Sequence, residues 1–169
     1  MYPSRRPIPL RFLLEPAAAL AEPPLTGRRR ALLTDTGKGT ESAERYGRRV
    51  VPGEVSAREA AERFTTSLRT FQYTLANPSG GAANPLQDFL ERSRAGHCEY
   101  FASALALMLR YRGIPARVVN GYRLGPWISE GGYWLVTQNE AHSWVEYYDD
   151  AALAWRVADA TPAAPPAGL

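Results

Sequence analysis

The apolar period of this chain changes once, at Gly113-Ile114-Pro115, and that change limits the fold more than any other feature. Upstream, Cys98 to Tyr111 carries Phe101, Ala104, Leu105, Met108 and Leu109 at helical spacing. Gly113 stands where a C-terminal cap belongs and Pro115 prevents continuation, so a buried helix ends there. Downstream the period is two. The runs 116–124, 132–138, 141–149 and 154–160 are short, β-branched and aromatic, with turn residues between them. Strands that follow helices in this way predict an α+β domain whose antiparallel sheet packs on the Cys98 helix.

Two further helix starts are readable before Cys98. Ser56-Ala57-Arg58-Glu59 is a capping-box pattern, followed by Ala60, Ala61, Phe64, Leu68 and Phe71 at helical spacing. Asn84-Pro85 offers an N-cap and a first-turn proline for a short helix ending near Ala95-Gly96. Residues 71–75 read as extended, and Asn77-Pro78-Ser79-Gly80-Gly81 breaks them. Residues 1–54 are rich in Pro, Gly, Arg and Thr and show little periodicity. They predict an extended arm or linker with at most a short strand. The expected organisation is therefore an arm (1–54), a folded domain (55–162) and a Pro/Ala-rich tail (163–169).

Charge and composition remove several function classes. The net charge is +3, and Lys38 is the only lysine among 20 basic residues. Arginines cluster at 28–30 and at 45, 48 and 49, but no aromatic interleaving or nucleic-acid motif accompanies them, so no nucleic-acid partner is expected. No stretch reaches the roughly 18 consecutive apolar residues of a membrane span. The first twenty residues carry an arginine pair and apolar residues as a secretory signal does, yet Arg11, Glu15 and the prolines interrupt any continuous apolar core.

The single cysteine excludes an internal disulfide framework and a zinc cluster of several thiolates. Cys98 begins its helix, where unpaired amides and the macrodipole favour a thiolate. The only histidines are His97 and His142. His97 adjoins Cys98 in sequence, and side chains adjacent at a helix start diverge, which makes it a poor base. His142 opens a strand and shares a face with Trp144 and Glu146. On the next strand Trp155, Val157 and Asp159 share a face, so a hairpin brings Asp159 toward His142. Taken singly, each residue has a plain structural explanation: core filling for Cys98, a structural histidine, a turn cap at Asp159. The three together at these places point to a thiol nucleophile, its base and the carboxylate that orients the base.

At these residues the chain resembles the transglutaminase-like superfamily. The resemblance rests on Gly96-His97-Cys98-Glu99-Tyr100-Phe101-Ala102-Ser103-Ala104 and on the run from Gly113 to Tyr122. Gly131-Gly132-Tyr133-Trp134, Ala141-His142-Ser143-Trp144-Val145-Glu146 and Val157-Ala158-Asp159-Ala160-Thr161-Pro162 continue it in order. It runs from about Ala57 to Pro162 and is similar to a bacterial branch whose catalytic domain is the extracytoplasmic part of a multi-spanning membrane protein. The resemblance implies a papain-like fold, with Cys98, His142 and Asp159 as nucleophile, base and orienting residue. It implies acyl transfer from a protein or peptide amide through a thioacyl intermediate, with no cofactor and no metal. The substrate would be a protein or peptide, such as a cell-envelope component, and the domain would be tethered to a membrane in a longer protein. Two departures stand out: Ala160 where Asp-Pro-Thr is common, which places Pro162 after the threonine, and Ser143 where alanine is frequent.

Three alternatives accompany this reading. A thiol peptidase or amidase uses the same three residues and differs in the acceptor. A non-catalytic envelope-binding module has no need of all three. A zinc hydrolase on His97, Cys98 and His142 lacks the usual ligand spacing. For the oxyanion, the Cys98 amide is one donor, and Trp134, Tyr133 and Tyr100 are candidates for a second. Trp127, Tyr133, Trp134 and Trp144 are also expected around the site as walls of an apolar channel.

Overall fold

The computed structural model of the chain describes residues 24–162. Its helices are α1 (Gly27–Thr34), α2 (Glu41–Val50), α3 (Ala57–Leu68), α4 (Pro85–Asp88) and α5 (Cys98–Tyr111), with a π turn at Phe89–Ser93 between α4 and α5. Its strands are β1 (Gln72–Tyr73), β2 (Ala95–Gly96), β3 (Ala116–Tyr122), β4 (Trp127–Ile128), β5 (Tyr133–Trp134), β6 (Ala141–Asp149) and β7 (Ala154–Ala158).

Helix α5 is the centre of the core. Phe101, Leu105 and Leu109 are fully buried and Met108 nearly so, with α2 and α3 on one side and the sheet on the other. The sheet is antiparallel in the order β3-β6-β7, and Val145, Tyr147, Ala116 and Ala158 join the same apolar cluster as α5. This is the expected α+β arrangement of a helix bearing the cysteine packed on an antiparallel sheet. Phe71, Phe89 and Phe101 pack edge to face, with centroids 5.3 and 5.0 Å apart, and fix the end of the core next to Cys98.

The local signals act where they were expected. Ser56 Oγ accepts from Glu59 N at 3.1 Å, and Asn84 Oδ1 accepts from Gln87 N at 3.0 Å. At the end of α5, Gly113 takes φ +71°. Gly113 N donates to Arg110 O (2.8 Å) and Ile114 N to Leu109 O (3.1 Å), the paired bonds of a Schellman motif.

Two expectations are corrected. Within 24–54 the chain is not an extended arm, since it forms α1 and α2, and Ala43, Tyr46 and Val51 are buried in the core. Helix α2 escapes notice because only one narrow side is apolar: Ala43, Tyr46 and Gly47 are buried while most of the other residues are exposed or half-buried. Arginines of α5 complete the attachment. Arg110 donates to Asp35 O at 2.7 Å, and Arg112 to Val51 O at 3.2 Å and Gly53 O at 2.7 Å. Residues 1–23 of the expected arm, and the expected tail, lie outside the described residues.

The second correction concerns the run 132–138. It is not a strand of the main sheet. Only Tyr133–Trp134 forms a strand, paired with Trp127–Ile128 in a separate two-stranded ribbon. The sheet instead joins β3 directly to β6, with Tyr122 opposite Ala141. No helix among the described residues is long and apolar enough to cross a membrane.

Candidate functional site

Cys98 is the first residue of α5, and His97 caps the helix with extended backbone and no side-chain bond. The chain reaches it through a short parallel pairing, Gln72 with Ala95 and Tyr73 with Gly96. Gly96 fits closely there. A Cβ would lie 3.0 Å from Tyr100 Cδ2 and 3.3 Å from Phe89 Cδ2, closer than side-chain carbons ordinarily approach. The pairing and the glycine hold the Cys98 thiol at a helix N-terminus, half-buried and free of any disulfide.

His142 is the second residue of β6, opposite Gly121 of β3, and its side chain is 4% exposed. Its Nε2 lies 2.7 Å from Asp159 Oδ2. A carboxylate can only accept, so Nε2 is the donor in this bond and Nδ1 is the ring nitrogen left for other partners. Asp159 follows the last ladder pair of β6 and β7, Val145 with Ala158. Its second oxygen, Oδ1, accepts from Thr161 N at 2.9 Å. That turn needs an N–H at 161 and none at 160, so alanine serves at 160, where it is buried in the core. Proline at 162 does not interfere.

Cys98 and His142 line one open cleft of about 350 Å³, together with Glu99, Asn120, Gly121, Tyr122, Ala141 and Ser143. The structure thus brings together all three residues singled out in the sequence: thiol and imidazole in a shared cleft, and carboxylate bonded to the imidazole. Ser143 also has a role, since its Oγ donates to Asn120 Oδ1 at 2.7 Å across the β3–β6 pair. His97 is placed elsewhere. It lines a separate cleft with Asn77, Pro85, Leu86, Tyr100 and Ser103, with Nδ1 3.7 Å from Glu99 Oε2. Among the described residues no three His, Cys, Asp or Glu side chains are grouped to hold a metal.

The aromatic residues divide. Trp144 stacks over His142, centroids 6.2 Å apart and planes at 28°, and its ring edge reaches over Gly121. Trp127, Tyr133 and Trp134 do not wall the cleft. They stand on the β4–β5 ribbon, each 51% exposed, with the two indoles 5.3 Å apart. Tyr100 is engaged as well, donating to Asn77 Oδ1 at 2.8 Å. Sequence reasoning passed over Tyr73. Burial, and secondarily its electrostatic interaction with Cys98, raise its pKa above the ordinary phenol value. The register with Gly96, two residues before the cysteine, is what brings it near, and only the β1–β2 pairing reveals that.

Comparison with known proteins bears on the family and the fold. The family model described as "Transglutaminase-like superfamily" matches residues 44–160. A Pseudomonas aeruginosa protein-glutamine gamma-glutamyltransferase is 50% identical over 78 residues, which are 46% of this chain and 12% of that protein. The Bacillus subtilis protein YebA is 43% identical over 67 residues, 37% of this chain and 9% of that one. The crystal structure of the periplasmic domain of TgpA from Pseudomonas aeruginosa superimposes with a TM-score of 0.73 at 32% identity, covering 80% of this chain and 48% of that one. The chain therefore spans about half of the solved domain and a small part of the full-length relatives.

Proposed function

The chain belongs to the transglutaminase-like superfamily, and from that premise we propose that it is a thiol acyltransferase acting on a protein or peptide amide. The observation that carries the reading is the 2.7 Å bond from His142 to Asp159 in a cleft that also holds the Cys98 thiol. In this mechanism His142 Nδ1 takes the Cys98 proton as sulfur attacks the amide carbon. The tetrahedral oxyanion accepts from the Cys98 amide at the helix N-terminus. The imidazolium, oriented and stabilised by Asp159, gives its proton to the departing nitrogen, which leaves as ammonia or an amine. The thioester on Cys98 is then attacked by an amine or by water. His142 takes the proton of the attacking group and returns it to sulfur as the acyl group departs.

Similarity to the Pseudomonas protein-glutamine gamma-glutamyltransferase favours a glutamine side chain as acyl donor. The periplasmic relative favours an extracytoplasmic domain tethered to a membrane in a longer protein, with envelope proteins as substrates. The test supplies a glutamine-containing peptide with a labelled primary amine and measures conjugate and free acid together. Conjugate that disappears in Cys98→Ala supports transamidation. Free acid alone at saturating amine moves the assignment to a thiol hydrolase, and unchanged turnover in Cys98→Ala refutes both.

A further inference from the structure

The carboxylate of Asp159 is fixed through its two oxygens, but the backbone that carries it lies beyond the sheet. The β6–β7 ladder ends at Val145 with Ala158, one residue short, so no strand pairing holds the Asp159 main chain. A residue just past a ladder frays unless another group replaces the missing bonds. Here that group comes from the far end of α3. Arg69, which caps this helix 90 residues earlier in sequence, donates from Nη2 to the Asp159 carbonyl oxygen at 2.7 Å. The guanidinium lies in an open groove of about 430 Å³ behind the site, shared with Arg58, Thr65, Tyr147 and Arg156. The other two arginines of the groove are engaged by carboxylates, Arg58 by Glu62 and Arg156 by Asp149, each through a direct bond. Only Arg69 reaches the segment that bears the carboxylate.

We propose that Arg69 is a positioning residue for the catalytic chemistry, holding the main chain of Asp159 so that its carboxylate stays on His142 Nε2. The proposal rests on the thiol mechanism above. Asp159 is then held by Arg69 at the carbonyl, by Thr161 N at Oδ1 and by His142 at Oδ2. Removing the first leaves a turn that can rotate about the end of β7 and swing the carboxylate away from the imidazole. Misplacement of about 1 Å in a supporting group can cost on the order of 10²-fold in rate. Because the Arg69 bond is exposed and water can partly replace it, the expected loss is smaller.

The test uses Arg69→Met and Arg69→Lys, read by turnover and by proton NMR of the imidazoles. With two histidines in the chain, the hydrogen-bonded ring N–H of His142 is assigned by its persistence in His97→Gln. In Arg69→Met this signal should broaden or vanish near neutral pH. At the same time kcat should fall on the order of tenfold and KM should change less than about twofold, as expected for lost support of a reacting group. Arg69→Lys, which retains a cationic ammonium donor on a long stem, should recover part of both. Thermal midpoints are recorded for every variant. An N–H signal and kcat unaltered in Arg69→Met, a loss that merely follows the unfolded fraction, or Arg69→Lys as impaired as Arg69→Met would each overturn the proposal. The NMR arm needs no substrate, so it stands even if Cys98→Ala retains turnover and the thiol mechanism itself fails.

Discussion

Substituting Gly121 by alanine should cost little stability and much more activity, and the reason lies in one contact. A Cβ built on Gly121 would be 2.7 Å from Trp144 Cη2 and 3.2 Å from Cζ3. Ordinary carbon contacts lie near 3.5–4.0 Å, so the indole edge must retreat by roughly 1 Å. Overpacking a closed core costs about 1–3 kcal/mol. Here the obstructing atoms are the far edge of a half-buried side chain, which can swing outward, so the low end applies, about 1 kcal/mol. For a chain of this length that is about 2–4 °C in Tm. The swing, however, moves the ring that stacks over His142. The imidazole, now 4% exposed, would admit water beside its bond to Asp159, and the charged intermediate would be stabilised less by a wetter site.

The assay is a double-mutant cycle. Gly121→Ala, Trp144→Ala and the pair are compared by thermal melting and by the rate of Cys98 acylation. If the account is right, Gly121→Ala lowers the rate on the order of tenfold with a Tm loss of only a few degrees. Once Trp144→Ala has removed the obstruction, adding Gly121→Ala should change neither quantity further, giving a coupling energy close to the whole effect of the single substitution. Full additivity would refute the reasoning. The alanine would then be acting through the β3–β6 strand or by narrowing the cleft directly.

The remaining predictions concern the same site and its supports. Asp159→Asn should leave the fold intact while kcat falls on the order of 10⁴-fold, the loss known when a serine triad loses this charge and tautomer control; unaltered kcat would mean that another group orients His142. His142→Ala should abolish thioester formation, whereas His97→Ala, altering a side chain in a different cleft, should keep most of it, as intact-mass detection of the acyl-enzyme would show. Arg30 binds Asp150 through two bonds of 2.9 and 2.6 Å and holds that carboxyl below its ordinary range. A lowered folded-state value means the tether of α1 is complete above the ordinary carboxylate range and is lost as pH falls through the lowered value. Amide exchange in α1 should therefore accelerate with acid relative to the intrinsic rate, and Asp150→Asn should already show the faster exchange at neutral pH.

What the sequence revealed, and what it concealed, divides along the range of the interactions involved. The ends of α5 were legible because their determinants are local: an apolar period of 3.6, Gly113 forced to positive φ, and Pro115 after it. The extent of β6 was legible for the same reason. Cys98, His142 and Asp159 could be singled out because each sits at the start or end of an element, where a period of two or 3.6 fixes direction. Helix α2 was not legible, since its buried residues are few and its C-terminal end is tied down from far along the chain, by Arg112 donating to Val51 O and Gly53 O, 61 and 59 residues away. The run 132–138 misled because aromatic and β-branched residues satisfy strand statistics whether or not a sheet edge is free to receive them. With β3 and β6 paired from Ala116–Tyr147 to Tyr122–Ala141, none remained between them.

The pairing of Tyr122 with Ala141 also explains how one cleft can hold residues from such separate places. Because β3 and β6 run together to their last residues, the 18 residues between them are expelled from the sheet as the aromatic ribbon, and Gly121 lies directly opposite His142. A side chain on Gly121 would occupy the space the Trp144 ring needs, and without that ring the His142–Asp159 bond would face water. The α5 N-terminus enters the other side of the cleft, positioned by Gly96 and the β1–β2 pair. A glycine stands on each side of the cleft: a side chain at 96 would press on Tyr100 and Phe89 beside the α5 N-terminus, and one at 121 would press on the Trp144 ring that stacks over His142, so the shape of the cleft depends on what is missing at 96 and 121.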